Sequence, residues 1–235
     1  MSRHALVTGS SRGIGAAAAR TLSRDGWDVT IVYNESEEKA LALAAELHTR
    51  AVRCDVRDPA QVEALFQKAG HVDLLVCCAG VSEYGLITDV SEAAWQSLAE
   101  TNTGGVFRCC RAAIPSMVHR KSGNIILISS VWGRYGGSCE AAYSASKAAV
   151  IGLARALAKE LGPSGIRVNC IAPGPILTDM LTGLSHIDLD ELAQEVPLGR
   201  IGAPEDVAEL ISFLASDKAS YITGQVIGCD GGFPI

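Results

Sequence analysis

The sequence predicts a doubly wound α/β fold, in which helices cover both faces of a parallel β-sheet. Short apolar runs alternate with helix-length stretches along the whole chain, as in folds built from βαβ units. Several apolar runs are continuous, which is expected of strands that are buried on both faces. The predicted strands are 4–8, 29–33, 51–54, 73–77, 124–129, 167–171 and 225–229, and the predicted helices are 13–25, 36–48, 59–69, 91–120, 143–161 and 204–215.

The length and composition favour one domain. The chain has 235 residues and is 48% hydrophobic, which suffices for one sizeable core. No linker, internal repeat or low-complexity tract divides it, so we predict a single domain over residues 1–235. The one irregular stretch, residues 173–197, follows the sixth strand at the edge where such sheets bind ligands. It predicts a mobile lid near residues 175–197, with an ordinary surface connection as the alternative.

The overall charge argues against two classes of partner. The formal net charge is −6 and the pI is about 5.4, whereas nucleic acids and anionic membranes bind clustered Lys and Arg. No apolar segment reaches the roughly 18 residues of a membrane span, and the N-terminus shows no apolar region of a signal peptide. We therefore expect a cytoplasmic protein with no nucleic-acid partner and no membrane partner.

The cysteines predict neither a metal site nor disulfides. They form no C-x-x-C pair and have no histidine at ligand spacing. Six of them lie in or beside apolar runs, where cysteine behaves as a small hydrophobic residue. Reduced thiols in the core are therefore the favoured interpretation of Cys54, Cys77, Cys78, Cys109, Cys110, Cys139, Cys170 and Cys229.

A glycine-rich turn between the first strand and the first helix predicts a phosphate-binding site. Residues 8–15 read T-G-S-S-R-G-I-G. Glycine lets the backbone approach a pyrophosphate, and the N–H groups and dipole at the start of the helix favour the anion. The spacing differs from the commoner G-x-G-x-x-G fingerprint, but the strand before the turn and the helix after it support the same function. A purely structural turn is the alternative.

The end of the second strand indicates which nicotinamide cofactor binds. NAD enzymes place an acidic residue there, on the ribose 2′-hydroxyl, whereas this chain has Tyr33 and Asn34. Arg12 can pair with a 2′-phosphate, with a solvated loop charge as the alternative. NADP(H) is therefore favoured over NAD(H), although Glu35 would supply the acid if the strand ended two residues later.

Ser130, Tyr143 and Lys147 are predicted to meet at one point. Tyr143 and Lys147 are one helical turn apart, and Ser130 ends an apolar run. A phenol, a hydroxyl and an ammonium together form a proton-transfer site for carbonyl and alcohol chemistry. An ordinary strand end beside an ordinary helix face is the alternative.

These motifs, in this order, resemble the short-chain dehydrogenase/reductase (SDR) family over essentially the whole chain. A lone Y-x-x-x-K arises by chance about once in several chains of ordinary composition, but the complete ordered set does not. The resemblance implies a Rossmann-type domain with seven strands, in which residues 1–125 mainly bind the cofactor and residues 126–235 mainly serve catalysis and the substrate. It rests on residues 8–15, C-A-G at 78–80, Asn102, Ser130, Tyr143 with Lys147, and P-G-P-I-L-T-D-M at 173–180.

The resemblance implies an NADPH-dependent ketone reductase with Tyr143 as general acid. Lys147 would hold the nicotinamide ribose and lower the pKa of Tyr143 from about 10, because a charge about 4 Å away is worth up to about 4 kcal/mol at an effective dielectric of about 20. Ser130 would hydrogen-bond the developing alkoxide, and Asn102 would hold a water that connects Lys147 to solvent. A non-catalytic NADP-binding sensor or scaffold is the alternative from another functional class. Such a protein has no need for a proton relay, so the complete set of relay residues argues against it. The implied cofactor contacts are Gly9, Ser11, Arg12, Gly13, Ile14, Gly15, Tyr33, Asn34, Asp55, Val56, Ala79, Gly80, Tyr143, Lys147, Pro173, Gly174, Ile176 and Thr178.

The sequence departs from the family at Cys77-Cys78-Ala79-Gly80, where the family has N-N-A-G. Loss of both amides removes hydrogen bonds that tie this strand to its neighbour, so other groups must make that contact. Cofactor binding by the backbone of Ala79 and Gly80 is still expected. Variation at a structural position is favoured over a redox function of the thiols.

The C-terminal part most resembles the 3-oxoacyl-[acyl-carrier-protein] reductases, through P-L-G-R-I-G-A-P-E-D-V-A at 197–208 and Y-I-T-G-Q-V-I-G-C-D-G-G at 221–232. Those reductases usually form homotetramers, which the apolar helices 91–120 and 143–161 would suit. A homodimer is the alternative.

The basic residues that would dock an acidic carrier protein are only partly present. His119, Arg120 and Lys121 supply part of such a patch, but Ser164 stands where these reductases often carry a second arginine. The sequence therefore predicts only part of a docking site for a carrier protein.

A closer likeness is to bacterial reductases that act on the 5-aminopentanone-modified lysine of elongation factor P. It rests on residues within 130–140 and on E-L-G-P-S-G-I-R-V-N-C-I-A-P-G at 160–174. Glu140 would pair with the ammonium of that substrate and Trp132 would cover it by cation–π contact, with Cys139 beside them. A helix-start Glu140 and a core Trp132 are the alternative. Aminopentanone reduction is thus our first expectation and 3-oxoacyl reduction in fatty-acid synthesis our second.

Overall fold

The sheet contains the seven parallel strands that the sequence predicts, in the spatial order β3-β2-β1-β4-β5-β6-β7. The computed structural model describes residues 3–181 and 186–233, with side chains at all of them except 186 and 187. The strands are β1 (His4–Thr8), β2 (Asp28–Tyr33), β3 (Arg50–Arg53), β4 (Leu74–Cys77), β5 (Gly123–Ile128), β6 (Ile166–Pro173) and β7 (Val226–Cys229). The helices are α1 (Gly13–Arg24), α2 (Glu37–Glu46), α3 (Pro59–Ala69), α4 (Glu92–Leu98), α5 (Gly105–Arg120), α6 (Val131–Tyr135), α7 (Ala141–Leu161), α8 (His186–Glu195) and α9 (Pro204–Ala215).

The order of the strands reverses at β1, which pairs with β2 on one side and with β4 on the other. Thr8 at the end of β1 lies opposite Cys77 at the end of β4. In open parallel sheets, ligands bind beside the carboxyl ends of the strands at such a reversal point. The topology therefore directs a ligand to the crevice beside Thr8 and Cys77.

Each strand contributes to two separate apolar layers, because successive side chains of a strand point to opposite faces. Val7 of β1 and Val76 of β4 pack in one layer, while Leu6 and Leu75 pack in the other. The first layer is completed by α1, α2 and α9, and the second by α3, α5 and α7. Burial on both faces explains why the strands read as continuous apolar runs.

The helix predicted at 91–120 is interrupted. It consists of α4, a π-helical segment at Ala99–Gly104, and α5. A π-helical turn inserts one extra residue into a helix and is frequent at functional sites. The periodicity of apolar residues does not reveal the insertion, since the chain remains helical on both sides.

The sequence also missed α6 and α8. With only five residues, α6 is too short to show a helical period. The stretch predicted to be irregular, residues 173–197, contains the ten residues of α8. Residues 182–185 of the predicted lid lie outside the described residues, and its mobility stays a prediction. Among the helices at 3–181 and 186–233, none combines the length and the apolar content that a bilayer crossing needs.

Candidate active site

Tyr143 and Lys147 lie together on α7, beside the end of β5. Both are buried, with 9% and 4% of their surface exposed. The Lys147 Nζ lies 5.7 Å from the centre of the Tyr143 ring. It donates a hydrogen bond of 3.1 Å to the carbonyl oxygen of Ile128, the last residue of β5. The end of the strand therefore fixes the position of the ammonium next to the phenol.

Ser130 lies near Tyr143 and Lys147 at the start of α6. It is the N-cap of α6, and its Oγ accepts a hydrogen bond of 3.2 Å from the backbone N–H of Trp132. Its hydroxyl also lies near the Tyr143 phenol, whose pKa it lowers. The two helices approach closely at Gly133, where a Cβ would lie only 2.9 Å from the Cβ of Lys147. The close approach of α6 to α7 thus depends on a glycine at this position.

Burial dominates the protonation of this cluster. It raises the pKa of Tyr143 to about 12, while the neighbouring Ser130 hydroxyl acts in the opposite direction. Burial also lowers the pKa of Lys147. Desolvation of the phenolate, which opposes the lowering expected from the Lys147 charge, is therefore the dominant effect on Tyr143 in this arrangement. At neutral pH the phenol carries its proton and can donate it to an oxygen atom.

Asn102 lies in the π-helical segment and is completely buried. Its Oδ1 accepts a hydrogen bond of 2.9 Å from the N–H of Val81, and its Nδ2 donates bonds of 2.9 and 3.0 Å to the Val81 carbonyl and the Ser146 Oγ. A Cβ on Gly80 would lie 3.2 Å from Asn102 Oδ1 and 3.3 Å from Lys147 Nζ. The structure thus places Asn102 beside Lys147, although its amide joins the loop after β4 to α7.

The glycine turn has the shape that a dinucleotide needs. Gly9 and Gly13 have φ angles of +64° and +54°, in the region that favours glycine. A Cβ on Gly15 would lie only 2.3 Å from the carbonyl oxygen of Gly9. Within the described residues, no side chain caps α1 and its first turn holds no acidic residue, so its N–H groups and dipole can accept an anion. These residues fit a pyrophosphate group.

Known proteins are similar to this chain in both sequence and fold. Residues 9–234 match the family model described as enoyl-(acyl carrier protein) reductase. The chain is 41% identical to the 3-oxoacyl-[acyl-carrier-protein] reductase FabG of Staphylococcus aureus (strain Mu50), over 99% of this chain and 98% of the relative. The chain belongs to the short-chain dehydrogenase/reductase family. The predictions of a Rossmann-type fold and of an oxidoreductase acting on carbonyl or hydroxyl groups are confirmed.

Other SDR relatives are similar over nearly their whole length. The oxidoreductase YmfI of Bacillus subtilis (strain 168), described as uncharacterized, is 37% identical over 99% of both chains. The crystal structure of a 3-oxoacyl-[acyl-carrier protein] reductase from Brucella melitensis has a TM-score of 0.92 and 34% identity, covering 99% of this chain and 91% of that one. A blue fluorescent protein from a metagenomic library, crystallised in complex with NADPH, has a TM-score of 0.92 and 36% identity, covering 99% and 98%.

Thr8 connects β1 to the loop after β4. Its buried Oγ1 accepts hydrogen bonds of 3.1 and 3.2 Å from the backbone N–H groups of Cys78 and Ala79. A Cβ on Gly9 would lie 2.7 Å from the Cα of Ala79. The hydroxyl therefore ties β1 to the loop after β4 where the glycine turn touches that loop.

The two cysteines in the SDR asparagine positions are thiols with raised pKa values. Contacts with Cys109 and Cys110, together with burial, raise the pKa of Cys77 well above its ordinary value. Burial raises the pKa of Cys78 to about 11, against the opposing charge of Lys147. Thiolates are the reactive form of cysteine, so the raised pKa values disfavour a redox function of either thiol. In the described part of the chain, no three His, Cys, Asp or Glu side chains are placed to hold a metal ion.

The residues expected at the 2′-phosphate lie close to the glycine turn but have protein partners. Arg12 donates a hydrogen bond of 2.8 Å from Nη1 to Asp179, and the Tyr33 hydroxyl donates one of 2.9 Å to Glu37. Asn34 accepts a bond of 3.1 Å at its carbonyl from Arg53. β2 ends at Tyr33, which agrees with the strand end on which the cofactor prediction depends.

The other expected cofactor residues surround the same crevice. A Cβ on Gly13 would lie 3.3 Å from the Cγ2 of Thr178, and Ser11 lines a cavity of about 470 Å³ with both of them. The Asp55 carboxylate pairs with Arg57 at 2.6 Å. The remaining expected cofactor residues have contacts within the fold. Ile14 packs against the core layer that contains α1, Val56 contacts Gly105, and Pro173 ends β6. Gly174 contacts Asp230, and Ile176 forms a β-bridge with Gly202.

The three residues expected near a substrate differ in their surroundings. Trp132 packs edge-on against Phe233, with ring centres 5.8 Å apart, so it has the core contacts that we considered as the alternative. Cys139 has a φ of +59°, and its carbonyl accepts a hydrogen bond of 2.8 Å from Gly85. Glu140 is different, because its Oε2 is buried and finds no hydrogen-bond partner in the described part of the chain. Burial raises the pKa of Glu140 to about 7.

Sequence reasoning missed Lys39 and Asp179, which lie next to Arg12. Lys39 Nζ and Arg12 Nη1 are 3.6 and 2.8 Å from the same Asp179 Oδ2. Asp179 directly follows Thr178, so the motif at 173–180 already contained it. No local pattern points to Lys39, which occupies one of several charged positions at the start of α2.

Proposed function

We propose that this protein uses NADPH to reduce a ketone to a secondary alcohol. The observation that carries the proposal is the buried Tyr143 phenol with Ser130 and Lys147 beside it, near a glycine turn that fits a dinucleotide. The structural neighbour that was crystallised with NADPH supports this cofactor. NADPH supplies the hydride when it is bound.

In this mechanism the side chains supply a proton and stabilise charge. Tyr143 holds its proton at neutral pH and gives it to the carbonyl oxygen as that oxygen becomes an alkoxide. Ser130 donates a hydrogen bond to the same oxygen, which stabilises the charge that develops in the transition state. Lys147 places a positive charge nearby, and Asn102 holds the loop at Val81 against α7. We also propose that Asn102 orients a water that returns a proton to Lys147.

We infer that a 3-oxoacyl group on acyl carrier protein is the substrate that the comparisons favour. The relative from Staphylococcus aureus and the structural neighbour from Brucella melitensis both carry that activity in their names. These names rank this substrate above our first expectation from the sequence. Docking of an acidic carrier protein nevertheless has weak support, since the Arg120 guanidinium is bound to the Val72 carbonyl at 2.8 Å and lies 3.5 Å from Asp73.

A second candidate substrate is the aminopentanone side chain of modified elongation factor P. The specific observation in its favour is Glu140, whose buried Oε2 has no hydrogen-bond partner among the described residues. A buried carboxylate without a partner is costly, and a substrate ammonium would supply the partner. A thioester carries no cation for Glu140 to bind.

Turnover of the two substrates, measured side by side, tests both proposals. Purified protein with NADPH is given acetoacetyl-carrier protein in one assay and aminopentanone-modified elongation factor P in the other, and oxidation of NADPH is followed. Efficient reduction of the carrier-protein substrate alone supports the first candidate, and efficient reduction of the modified factor alone supports the second. Failure to reduce either ketone contradicts the proposed reductase function.

We also propose that the protein forms a homotetramer or homodimer through α5 and α7. The outward face of α7 exposes the small residues Ala149, Gly152 and Ala156, which allow close approach of another helix. On α5, Phe107 and Val118 are 47% and 39% exposed. A second copy would cover this apolar surface. Cytoplasmic location stays a prediction.

A further inference from the structure

Three charged side chains from distant parts of the sequence meet beside the glycine turn. Arg12 precedes α1, Lys39 lies in the first turn of α2, and Asp179 follows β6. The Arg12 Nη1 and Lys39 Nζ lie 2.8 and 3.6 Å from the same Asp179 Oδ2. The hydrogen bond from Arg12, followed by the charge of Lys39, lowers the pKa of Asp179. Asp179 is therefore an anion held between two cations at neutral pH.

This cluster borders the cavity of about 470 Å³ that Ser11 and Gly13 also line. Two of the neighbouring acidic side chains have partners of their own, since Glu37 accepts the Tyr33 hydroxyl and Glu46 binds Arg20. A carboxylate brings one negative charge to the two cations, whereas a phosphate monoester brings about 1.5 to 2 and three acceptor oxygens. The pair of cations is thus better matched to a phosphate than to Asp179.

We infer that Lys39 binds the 2′-phosphate of NADPH together with Arg12, and that Asp179 occupies this phosphate position until the cofactor displaces it. The inference rests on the proposed use of NADPH. Its new elements are the lysine on α2 and the internal competitor on the segment after β6.

The two roles follow from the geometry of the cluster. The guanidinium of Arg12 can form paired hydrogen bonds with phosphate oxygens, and the Lys39 ammonium adds a compact charge from a second helix. The phosphate and Asp179 are both anions and repel each other if they share the two cations. NADPH must therefore break the contacts of Asp179, whereas NADH has no 2′-phosphate and leaves them intact.

Fragments of the cofactor test the inference without catalysis. The dissociation constants of 2′,5′-ADP and 5′-AMP are measured by titration calorimetry on the full chain, because only 2′,5′-ADP carries the phosphate in question. We expect Lys39→Gln to raise the dissociation constant of 2′,5′-ADP about five- to tenfold, as for loss of one partly exposed charge-assisted contact. The dissociation constant of 5′-AMP should change less than about twofold. The matched control is Lys68→Gln, an exposed lysine on α3, which should change neither constant.

Two further variants test each half of the inference. Lys39→Arg keeps a cation and should restore most of the affinity for 2′,5′-ADP. Asp179→Asn removes the competing carboxylate. It should increase the affinity for 2′,5′-ADP about threefold or more and leave the affinity for 5′-AMP unchanged.

The outcomes separate this inference from the proposed function. If the wild type binds 2′,5′-ADP no more tightly than 5′-AMP, the NADPH preference itself is refuted. If the wild type prefers 2′,5′-ADP but Lys39→Gln keeps the wild-type affinity for it, or weakens the binding of both ligands equally, the role of Lys39 is refuted. Weaker binding of 2′,5′-ADP by Asp179→Asn would overturn the role of Asp179 as a competitor.

Discussion

The Lys147 ammonium is anchored by the Ile128 carbonyl at 3.1 Å and lies 5.7 Å from the centre of the Tyr143 ring. The strand end, and not the phenol, is the hydrogen-bond acceptor that fixes this lysine. Burial meanwhile raises the pKa of Tyr143 to about 12. The protein thus presents a protonated phenol beside a fixed cation, which is an arrangement suited to giving a proton to a carbonyl oxygen.

Tyr143→Phe should greatly slow NADPH oxidation with any ketone. The substitution removes the acidic proton but keeps the ring, so we expect a loss of about 10²- to 10⁴-fold in kcat, the usual contribution of general acid catalysis. The affinity for NADPH, measured by fluorescence titration, should change little. Turnover at the wild-type rate would rule out the assigned general acid.

The sequence predicted the parts of the site that depend on local pattern. The glycine turn, Ser130, and Tyr143 with Lys147 were found because a strand end, a turn or one helical turn determines their neighbours. Asn102 was found only through the family resemblance, since the π-helical segment that positions it leaves no trace in the apolar period. Lys39 and Asp179 were missed because their contact depends on how α2 and the segment after β6 pack against α1. The partnerless Oε2 of Glu140 likewise depends on three-dimensional packing.

Thr8→Val should destabilise the fold by about 2 kcal/mol. The hydroxyl accepts hydrogen bonds from the N–H groups of Cys78 and Ala79, and a buried donor without an acceptor costs about 1–3 kcal/mol. The free energy of unfolding is measured with urea.

Thr8→Ser is the matched control for this variant, because it keeps the hydroxyl and loses only a methyl group. It should recover most of the difference between wild type and Thr8→Val. Equal stability of the serine and valine variants would show that packing of the methyl group, and not the hydroxyl, matters at this position.

Glu140→Gln should stabilise the protein more at pH 8 than at pH 5. Burial raises the pKa of Glu140 from 4.5 to about 7 in the folded state, so the native protein binds this proton more tightly than the unfolded chain. The resulting stability is fully present below about pH 4.5 and is lost as pH rises through about 7. Glutamine resembles the protonated form at every pH, so its advantage over glutamate grows across that window.

Urea unfolding at pH 5 and pH 8 measures this effect, with Glu83→Gln as a control at an exposed carboxylate. A stability difference between wild type and Glu140→Gln that is the same at both pH values would contradict the burial of this carboxylate. The same variant also separates the candidate substrates. Loss of an ammonium partner should lower kcat/KM for the aminopentanone substrate about tenfold or more, and should spare the acyl thioester.

Gly152→Arg should reduce the mass of the oligomer. Gly152 lies on the exposed face of α7, and a Cβ there meets no described atom within 4 Å, so a single chain accommodates the arginine. A partner helix packed on this face would instead meet a long charged side chain that must be buried or displaced. Sedimentation velocity should show a smaller particle than the wild type. Ala64→Arg, on the exposed face of α3, should keep the wild-type mass. An unchanged mass for Gly152→Arg would exclude α7 as the contact between copies, because an interface built on small residues cannot absorb an arginine without separating.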